Sequence, residues 1–129
     1  MQIHQSAEDY LETILMLSQR MGKVRSIDVV NELGFTKASV SIAMKKLREN
    51  GYIAVDGEGN LTLLEPGLEI AQRIYSRHQL LTHFFVQLGV DGHTAAEDAC
   101  KAEHILSEQT LEKIRESALR NDAAHPQAK

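Results

Sequence analysis

The stretch FTKASVSIAMKKLREN, residues 35–50, decides the fold. Thr36 is suited to cap a helix, and Val40, Met44 and Leu47 follow at the i, i+4, i+7 spacing of a stripe that faces a core. Small polar and basic side chains occupy most of the other positions. The stretch is therefore predicted to form an amphipathic helix with a basic outward face.

The segments on either side give this helix its context. Before it, Ser26–Leu33 is predicted to form a short helix that Gly34 ends, so that two helices flank a tight turn. After it, the β-prone segments 52–55 and 61–64 enclose a loop with two glycines, which predicts a hairpin. This order indicates a winged helix-turn-helix, a DNA-binding fold. The same elements without a DNA role are the alternative.

Composition and charge limit the classes of protein that fit. The chain has 129 residues, 43% of them hydrophobic, which suits one globular domain or two small ones. The lone Cys100 cannot form an intramolecular disulfide, and the sequence shows neither a signal peptide nor an apolar run of membrane length. We therefore expect a cytoplasmic protein. The net charge is −4, but the four basic side chains from Lys37 to Arg48 have no acidic one among them, which fits a local DNA-binding face.

The N-terminal segment is predicted to form a helix that begins with a capping box, in which Ser6 is the N-cap and Asp9 is the partner. Gly22 ends this helix. Asp9 and Glu12 lie off its apolar stripe, so local reasoning assigns Asp9 to the cap and leaves Glu12 in solvent. The stripe consists of Tyr10, Ile14, Leu17 and Met21.

A long helix is predicted from Pro66 to about Leu88. His78 falls on its apolar stripe, where a histidine is more often a core residue than a ligand. Apolar side chains off the stripe indicate packing against a second subunit. The stripe also includes Ala71, Ile74, Leu81, Phe85 and Leu88.

A second capping box, residues 94–97, is predicted to begin the helix that carries Cys100, Glu103 and His104. On a helix these three positions share a face, so a thiol, a carboxylate and an imidazole point the same way. All three are ligands of transition-metal ions. A buried thiol is the structural alternative for Cys100. Ser107 is predicted to cap a last helix, whose stripe is Leu111, Ile114 and Ala118.

Four motifs together resemble one family. They are SAEDYLE (residues 6–12), FTKASVS (35–41), YSRH (75–78) and DACKAEH (98–104). Their order and spacing over residues 6–120 are similar to those of the diphtheria-toxin-repressor family, which are metal-activated bacterial transcriptional repressors. Motifs of the DNA-binding half and of the metal-binding half match together.

The resemblance implies a mainly α fold with two domains. A winged helix-turn-helix DNA-binding domain is expected over residues 1–65 and a helical dimerisation and metal-binding domain over residues 66–120. Separately from the resemblance, the low hydrophobic content of residues 121–129 predicts a flexible tail. Larger, iron-responsive members carry a third, SH3-like domain, and the length of this chain resembles the short manganese-responsive branch.

The resemblance also implies a set of metal ligands. Position 100 departs from the manganese branch, which has Glu there, and matches the Cys of the iron branch. Conversely, this chain keeps Asp9 where the iron branch has Met. The ancillary site of the iron branch falls on Thr82 and Ala96, which cannot serve as its ligands. The implied ligands are Asp9, Glu12, His78, Cys100, Glu103 and His104.

The donor types narrow the choice of metal. Carboxylates and imidazoles suit six-coordinate Mn(II) or Fe(II), and we expect one of these. One thiolate shifts the preference toward Fe(II) and also suits Zn(II). Convergent carboxylates repel one another without a cation, so the metal is expected to fix the DNA-binding domain relative to the dimer core.

The predicted DNA partner is a palindromic double-stranded operator, bound by a homodimer. Residues near the start of the recognition helix are expected to reach phosphates and base edges, and Lys45, Lys46 and Arg25 to contact phosphates. Ala38 or Ile42 is placed to touch a thymine methyl group. The complete set is Arg25, Thr36, Lys37, Ala38, Ser39, Ser41, Ile42, Lys45 and Lys46.

Two other functions stay open on the sequence. One is a winged-helix regulator that senses an organic ligand, with the cluster purely structural. The other is a metalloenzyme, but Cys100 and His104 lie one turn apart on one helix, too constrained for a nucleophile and its base. We therefore expect no enzymatic activity, no small organic substrate and no membrane partner. The main prediction is a metal-activated repressor that controls metal-ion homeostasis.

Overall fold

A computed structural model describes residues 5–124. Within that range the chain forms six helices and one two-stranded sheet, so the prediction of a mainly α fold is confirmed. Two compact units are present, Met1–Arg73 and Ile74–Lys129, with the boundary inside α4. In chain order the elements are α1 (Gln5–Met21), α2 (Ser26–Leu33), α3 (Lys37–Glu49), β1 (Ile53–Val55), β2 (Leu61–Leu63), α4 (Glu65–Gln87), α5 (Gly92–Ala102) and α6 (Glu108–Ala124).

The first unit is built around the predicted recognition helix α3. Thr36 is its N-cap, and the Thr36 side chain accepts the Ser39 N–H at 3.1 Å. Gly34 ends α2 in the left-handed conformation, at φ 72°, which glycine adopts without a steric penalty. The core of the unit joins α1, α2, α3 and the hairpin, and includes Leu11, Ile14, Val29, Val40, Met44, Leu47, Ile53 and Leu61.

The hairpin after α3 is the wing that the sequence predicts. β1 and β2 are antiparallel, with Ile53 opposite Leu63. In the loop, Asp56 accepts hydrogen bonds from Asn60 and from the Glu58 N–H at 2.9–3.0 Å. These bonds, those from Asn60 foremost, hold the pKa of Asp56 below its ordinary value of 3.8. The carboxylate thus fixes the loop wherever it is ionised.

The second unit has its own small core. Leu81 of α4, Ala99 of α5 and Leu111 of α6 are buried together, and neighbouring apolar side chains pack around them. Ser107 caps α6 as predicted, since its hydroxyl accepts the Thr110 N–H at 3.2 Å. The predicted cap of α5 is wrong. Asp91, three residues earlier, accepts the Thr94 N–H at 3.1 Å, and the helix begins at Gly92.

Several predicted helix ends and stripe positions differ from the structure. Ser6 lies inside α1, which already includes Gln5, so Ser6 is not its cap. Met21 and Leu88 are exposed because each lies at or just past the end of its helix. α6 continues to Ala124, past the expected start of the tail, and residues 125–129 lie outside the described part of the chain. None of the described helices is both long and apolar enough to cross a membrane.

Gly67, in the first turn of α4, should be intolerant of a side chain. A Cβ there would collide with the main-chain carbonyl of Tyr52 and would meet the Leu11 side chain at 3.3 Å. We expect Gly67→Ala to lower the free energy of unfolding by about 1–3 kcal/mol, as for overpacking elsewhere. Urea denaturation measures the change. Gly57→Ala is the control, because nothing lies within 4 Å of the point that its Cβ would occupy. Equal effects of the two substitutions would contradict the predicted clash.

Candidate functional site

All of the predicted DNA-contacting residues belong to the first unit, and all are exposed. They cover the outward face of α3, the turn before it and the start of α2. The exposure of those on α3 follows from the same periodicity that buries Val40, Met44 and Leu47 on the opposite face. No acidic side chain lies in the first turn of α3, and Lys46 and Arg48 lie in its last turn. The outward face is therefore basic and accessible.

The start of α3 presents hydroxyls beside main-chain N–H groups. Besides capping the helix, the Thr36 hydroxyl donates to the Ser39 hydroxyl at 2.9 Å. A helix N-terminus carries partial positive charge and favours anions such as phosphate. This end of α3 therefore suits a contact with the DNA backbone or a base edge.

A cleft of about 320 Å³ lies between α3, the start of α2 and the wing. Lys45 and Arg48 give it positive charge, and Ile42, which is 59% exposed, gives it an apolar edge. Arg48 was not among the residues predicted to contact DNA. Its position three residues after Lys45 and seven after Ser41 is the signal that could have found it. The residues lining the cleft are Ser26, Ser41, Ile42, Met44, Lys45, Arg48 and Val55.

Arg25 connects the helix-turn-helix to the wing. It is bridged to Asn60 in an antiparallel arrangement, and its guanidinium lies against Gly59 at the wing loop. Its main-chain N–H also bonds the Asp28 carboxylate at 2.8 Å, at the start of α2. The cation is therefore placed at the wing, on a segment held at two points.

The second unit brings three of the predicted metal ligands together. His78 Nδ1 of α4 lies 3.0 Å from Glu103 Oε2. His104 Nε2 lies 3.5 Å from Glu103 Oε1. The Glu103 side chain is fully buried, that of His104 is 1% exposed and that of His78 is 20% exposed. A carboxylate thus lies between two imidazoles with little access to water.

The helix predicted to carry Cys100, Glu103 and His104 is shorter than expected, and the helical face that the three positions would share stays a prediction. α5 ends at Ala102, Glu103 is its C-cap, and His104 lies in the turn that follows. Glu103 still has helical dihedral angles, and its N–H bonds the Ala99 carbonyl at 2.9 Å. Cys100, still within α5, is exposed.

The donor set of the second unit fits a divalent transition-metal ion. Burial of a carboxylate is unfavourable unless positive charge or hydrogen bonds compensate for it. One carboxylate and two imidazoles are ligands that Mn(II), Fe(II) and Zn(II) accept. The chemistry of these side chains therefore supports the metal-binding role assigned from the sequence.

The remaining predicted acids, Asp9 and Glu12, lie on α1 in the first unit. Glu12 is 5% exposed, so the expectation that it is solvated is wrong. The reason is that α1 is buried around its circumference from Tyr10 to Leu15, so the apolar stripe underestimates its buried surface. Asp9 is half-buried, and burial and the Asp9 charge raise the pKa of Tyr10 above 10.0.

Fold and side chains together define a winged-helix DNA-binding unit followed by a helical unit with a buried carboxylate–imidazole cluster. Two family models match the chain in the same order. Residues 2–61 match the N-terminal DNA-binding domain of iron-dependent repressors. Residues 64–126 match their metal-binding and dimerisation domain. The chain belongs to the iron-dependent repressor family, and the resemblance inferred from its motifs is confirmed.

Known relatives agree with this assignment. The HTH-type transcriptional regulator MJ0568 of Methanocaldococcus jannaschii is 36% identical over 113 residues, 86% of this chain and 90% of that protein. The HTH-type transcriptional regulator MntR of Bacillus subtilis is 33% identical over 109 residues, 84% of this chain and 77% of that protein. These relatives are named as transcriptional regulators.

Solved structures show the same fold. A manganese-dependent transcriptional repressor in complex with manganese has a TM-score of 0.78 and 28% identity, covering 87% of this chain and 52% of that one. The manganese regulator SloR has a TM-score of 0.76 and 25% identity, covering 94% and 55%. This chain spans about half the length of these structures.

Proposed function

We propose that this chain is a metal-activated transcriptional repressor that binds palindromic operator DNA as a homodimer and controls metal-ion homeostasis. It acts in the cytoplasm and is not an enzyme. The observation that carries the proposal is the buried Glu103 carboxylate between His78 and His104, in the unit that matches the family's metal-binding domain. The exposed basic face of α3, in the unit that matches the DNA-binding domain, is the proposed operator-binding surface.

The proposed ligands are His78, Glu103 and His104 together with Asp9, Glu12 and Cys100. Asp9 and Glu12 are three residues apart on α1, a spacing that puts two side chains on one side of a helix. Cys100 precedes His104 by four residues and adds a thiolate donor. The bound ion supplies the positive charge that three carboxylates require. Mn(II) or Fe(II) is the proposed ion, and Zn(II) satisfies the same donors.

Ligands drawn from both domains give the switch its mechanism. When the carboxylates of α1 share a cation with the side chains of the second domain, their mutual repulsion becomes attraction. The DNA-binding domain is then held in one arrangement relative to the dimer core. A helix-turn-helix dimer needs its recognition helices about 34 Å apart to enter successive major grooves. Loss of the shared cation loosens this spacing and weakens DNA binding.

Metal-dependent DNA binding tests the proposal directly. We expect Mn(II) to tighten binding to a duplex selected from a random library by about 5–150-fold relative to chelator-treated protein. His78→Ala should abolish the effect, whereas His93→Ala, which alters an exposed histidine beside Glu97, should retain it. Fluorescence anisotropy measures both. Equal affinity with and without metal would contradict the proposal, and a requirement for an organic molecule would favour the alternative regulator.

Within the DNA interface, Thr36, Lys37, Ser39 and Ser41 are proposed to meet phosphates and base edges at the start of α3. Arg25, Lys45 and Lys46 are proposed phosphate contacts, and Arg48 joins them through the cleft that it lines with Lys45. Ala38 and Ile42 present apolar groups on the exposed face, which suits contact with a thymine methyl.

A phosphate contact predicts a salt effect that is independent of sequence. Lys46→Ala should weaken binding to every duplex and reduce the slope of log K against log salt by about 1 for each phosphate that is no longer neutralised. Anisotropy titrations at several salt concentrations measure the slope. Lys113→Ala removes the same charge from the exposed surface of α6 and should leave the slope unchanged. Loss of affinity confined to one base sequence would assign Lys46 to base reading.

Cys100 is proposed to set the preference among metals. A carboxylate is a harder donor than a thiolate, so Cys100→Glu should raise the response to Mn(II) relative to Fe(II) and Zn(II). DNA binding at matched free concentrations of each ion reports the preference. Cys100→Ala is the control, because it removes the thiol without adding a carboxylate. If both variants keep the wild-type preference, Cys100 is not a ligand.

A further inference from the structure

Arg77, next to His78 on α4, contacts the corner between α5 and α6 at two points. Its Nη1 donates to the main-chain carbonyl of Glu103 at 3.2 Å. Its Nη2 donates to the Glu108 carboxylate. The Arg77 side chain is only 15% exposed. One guanidinium therefore joins three helices of the second unit.

Two neighbouring residues of α4 thus contact the side chain and the main chain of one glutamate. His78 contacts the carboxylate of Glu103, and Arg77 binds its main-chain carbonyl. Glu103 is the C-cap of α5, where helix carbonyls lack partners within the helix and carry partial negative charge. A guanidinium satisfies this carbonyl more strongly than a neutral donor because the hydrogen bond is charge-assisted.

The second contact fixes the direction of the guanidinium. Glu108 lies in the first turn of α6, where an acidic side chain is favoured by the helix dipole. The Glu108 side chain is exposed, so the ion pair alone contributes little stability. The ion pair matters instead for the orientation of the guanidinium. The planar guanidinium can donate to two acceptors at once in fixed directions, which a lysine ammonium cannot do.

We propose that Arg77 is a positioning residue of the metal centre. By fixing the Glu103 carbonyl, it sets the direction from which the Glu103 and His104 side chains leave the turn. Outer partners of this kind orient ligands before the metal binds, and their loss weakens metal affinity by about 10–100-fold. The inference rests on the proposed metal-binding function. It assigns Arg77 a role in metal affinity, whereas a purely structural link between α4 and α6 would affect stability alone.

The test is calorimetric titration of the full chain with Mn(II), together with thermal melting of the metal-free protein. Wild-type binding is measured first, and its failure would count against the proposed function rather than against Arg77. Given wild-type binding, Arg77→Met should lower the Mn(II) affinity about 10–100-fold while the metal-free melting temperature changes little. Arg77→Lys should recover part of the affinity, because it restores the charge without the fork.

Matched variants separate positioning from charge and from stability. Arg115→Met removes an arginine paired with Glu112 on the surface of α6 and should leave Mn(II) affinity unchanged. Unchanged affinity in Arg77→Met would overturn the inference, as would a lower melting temperature with unchanged affinity. Should Arg77→Met not fold, Arg77→Lys decides: reduced Mn(II) affinity in a folded protein supports positioning, and wild-type affinity overturns it.

Discussion

The burial of the Glu103 carboxylate is the constraint on which the second unit depends. A carboxylate withdrawn from water costs several kcal/mol unless nearby groups compensate for it. Here His78 and His104 approach its two oxygens, one from α4 and one from the turn after α5, at 3.0 and 3.5 Å. An acid between two imidazoles in a nearly dry site is an arrangement that a cation stabilises. The fold of the unit brings these three groups together.

Each unit uses its own core to position its chemistry. In the second unit, Leu81, Ala99 and Leu111 hold α4, α5 and α6 together around the corner that carries Glu103. In the first, Val40, Met44 and Leu47 bury one face of α3 and thereby leave the basic face exposed. The two units match the DNA-binding domain and the metal-binding and dimerisation domain of the iron-dependent repressor family, which explains why both occur in one chain.

Short sequence patterns correctly predicted the elements that form from neighbouring residues. The cap at Thr36 and the apolar spacing after it predicted α3, and the glycines between two β-prone segments predicted the wing. The end of α5 at Ala102 was missed, because no Gly or Pro follows the helix to mark its end in the sequence. The burial of Glu12 was missed because α1 is buried around its whole circumference from Tyr10 to Leu15, which an apolar stripe does not report.

Contacts distant in sequence left no local signal. Arg77 reaches residues 26 and 31 positions away, and no periodicity of α4 reports such partners. His78 was predicted as a ligand only through the family resemblance, since a histidine on an apolar stripe is ordinarily a core residue. Helices and turns could therefore be predicted from the sequence, whereas side-chain contacts between distant positions required the structure.

The most direct measurement is the Mn(II) affinity of Glu103→Gln compared with wild type, determined by calorimetry on the metal-free protein. Glutamine keeps the size of the side chain and removes the charge that the ion requires. Glu97→Gln, which alters an exposed acid within α5, is the control. The account predicts at least a tenfold loss of affinity, about 1.4 kcal/mol, in Glu103→Gln alone. Equal affinities in all three proteins would contradict it.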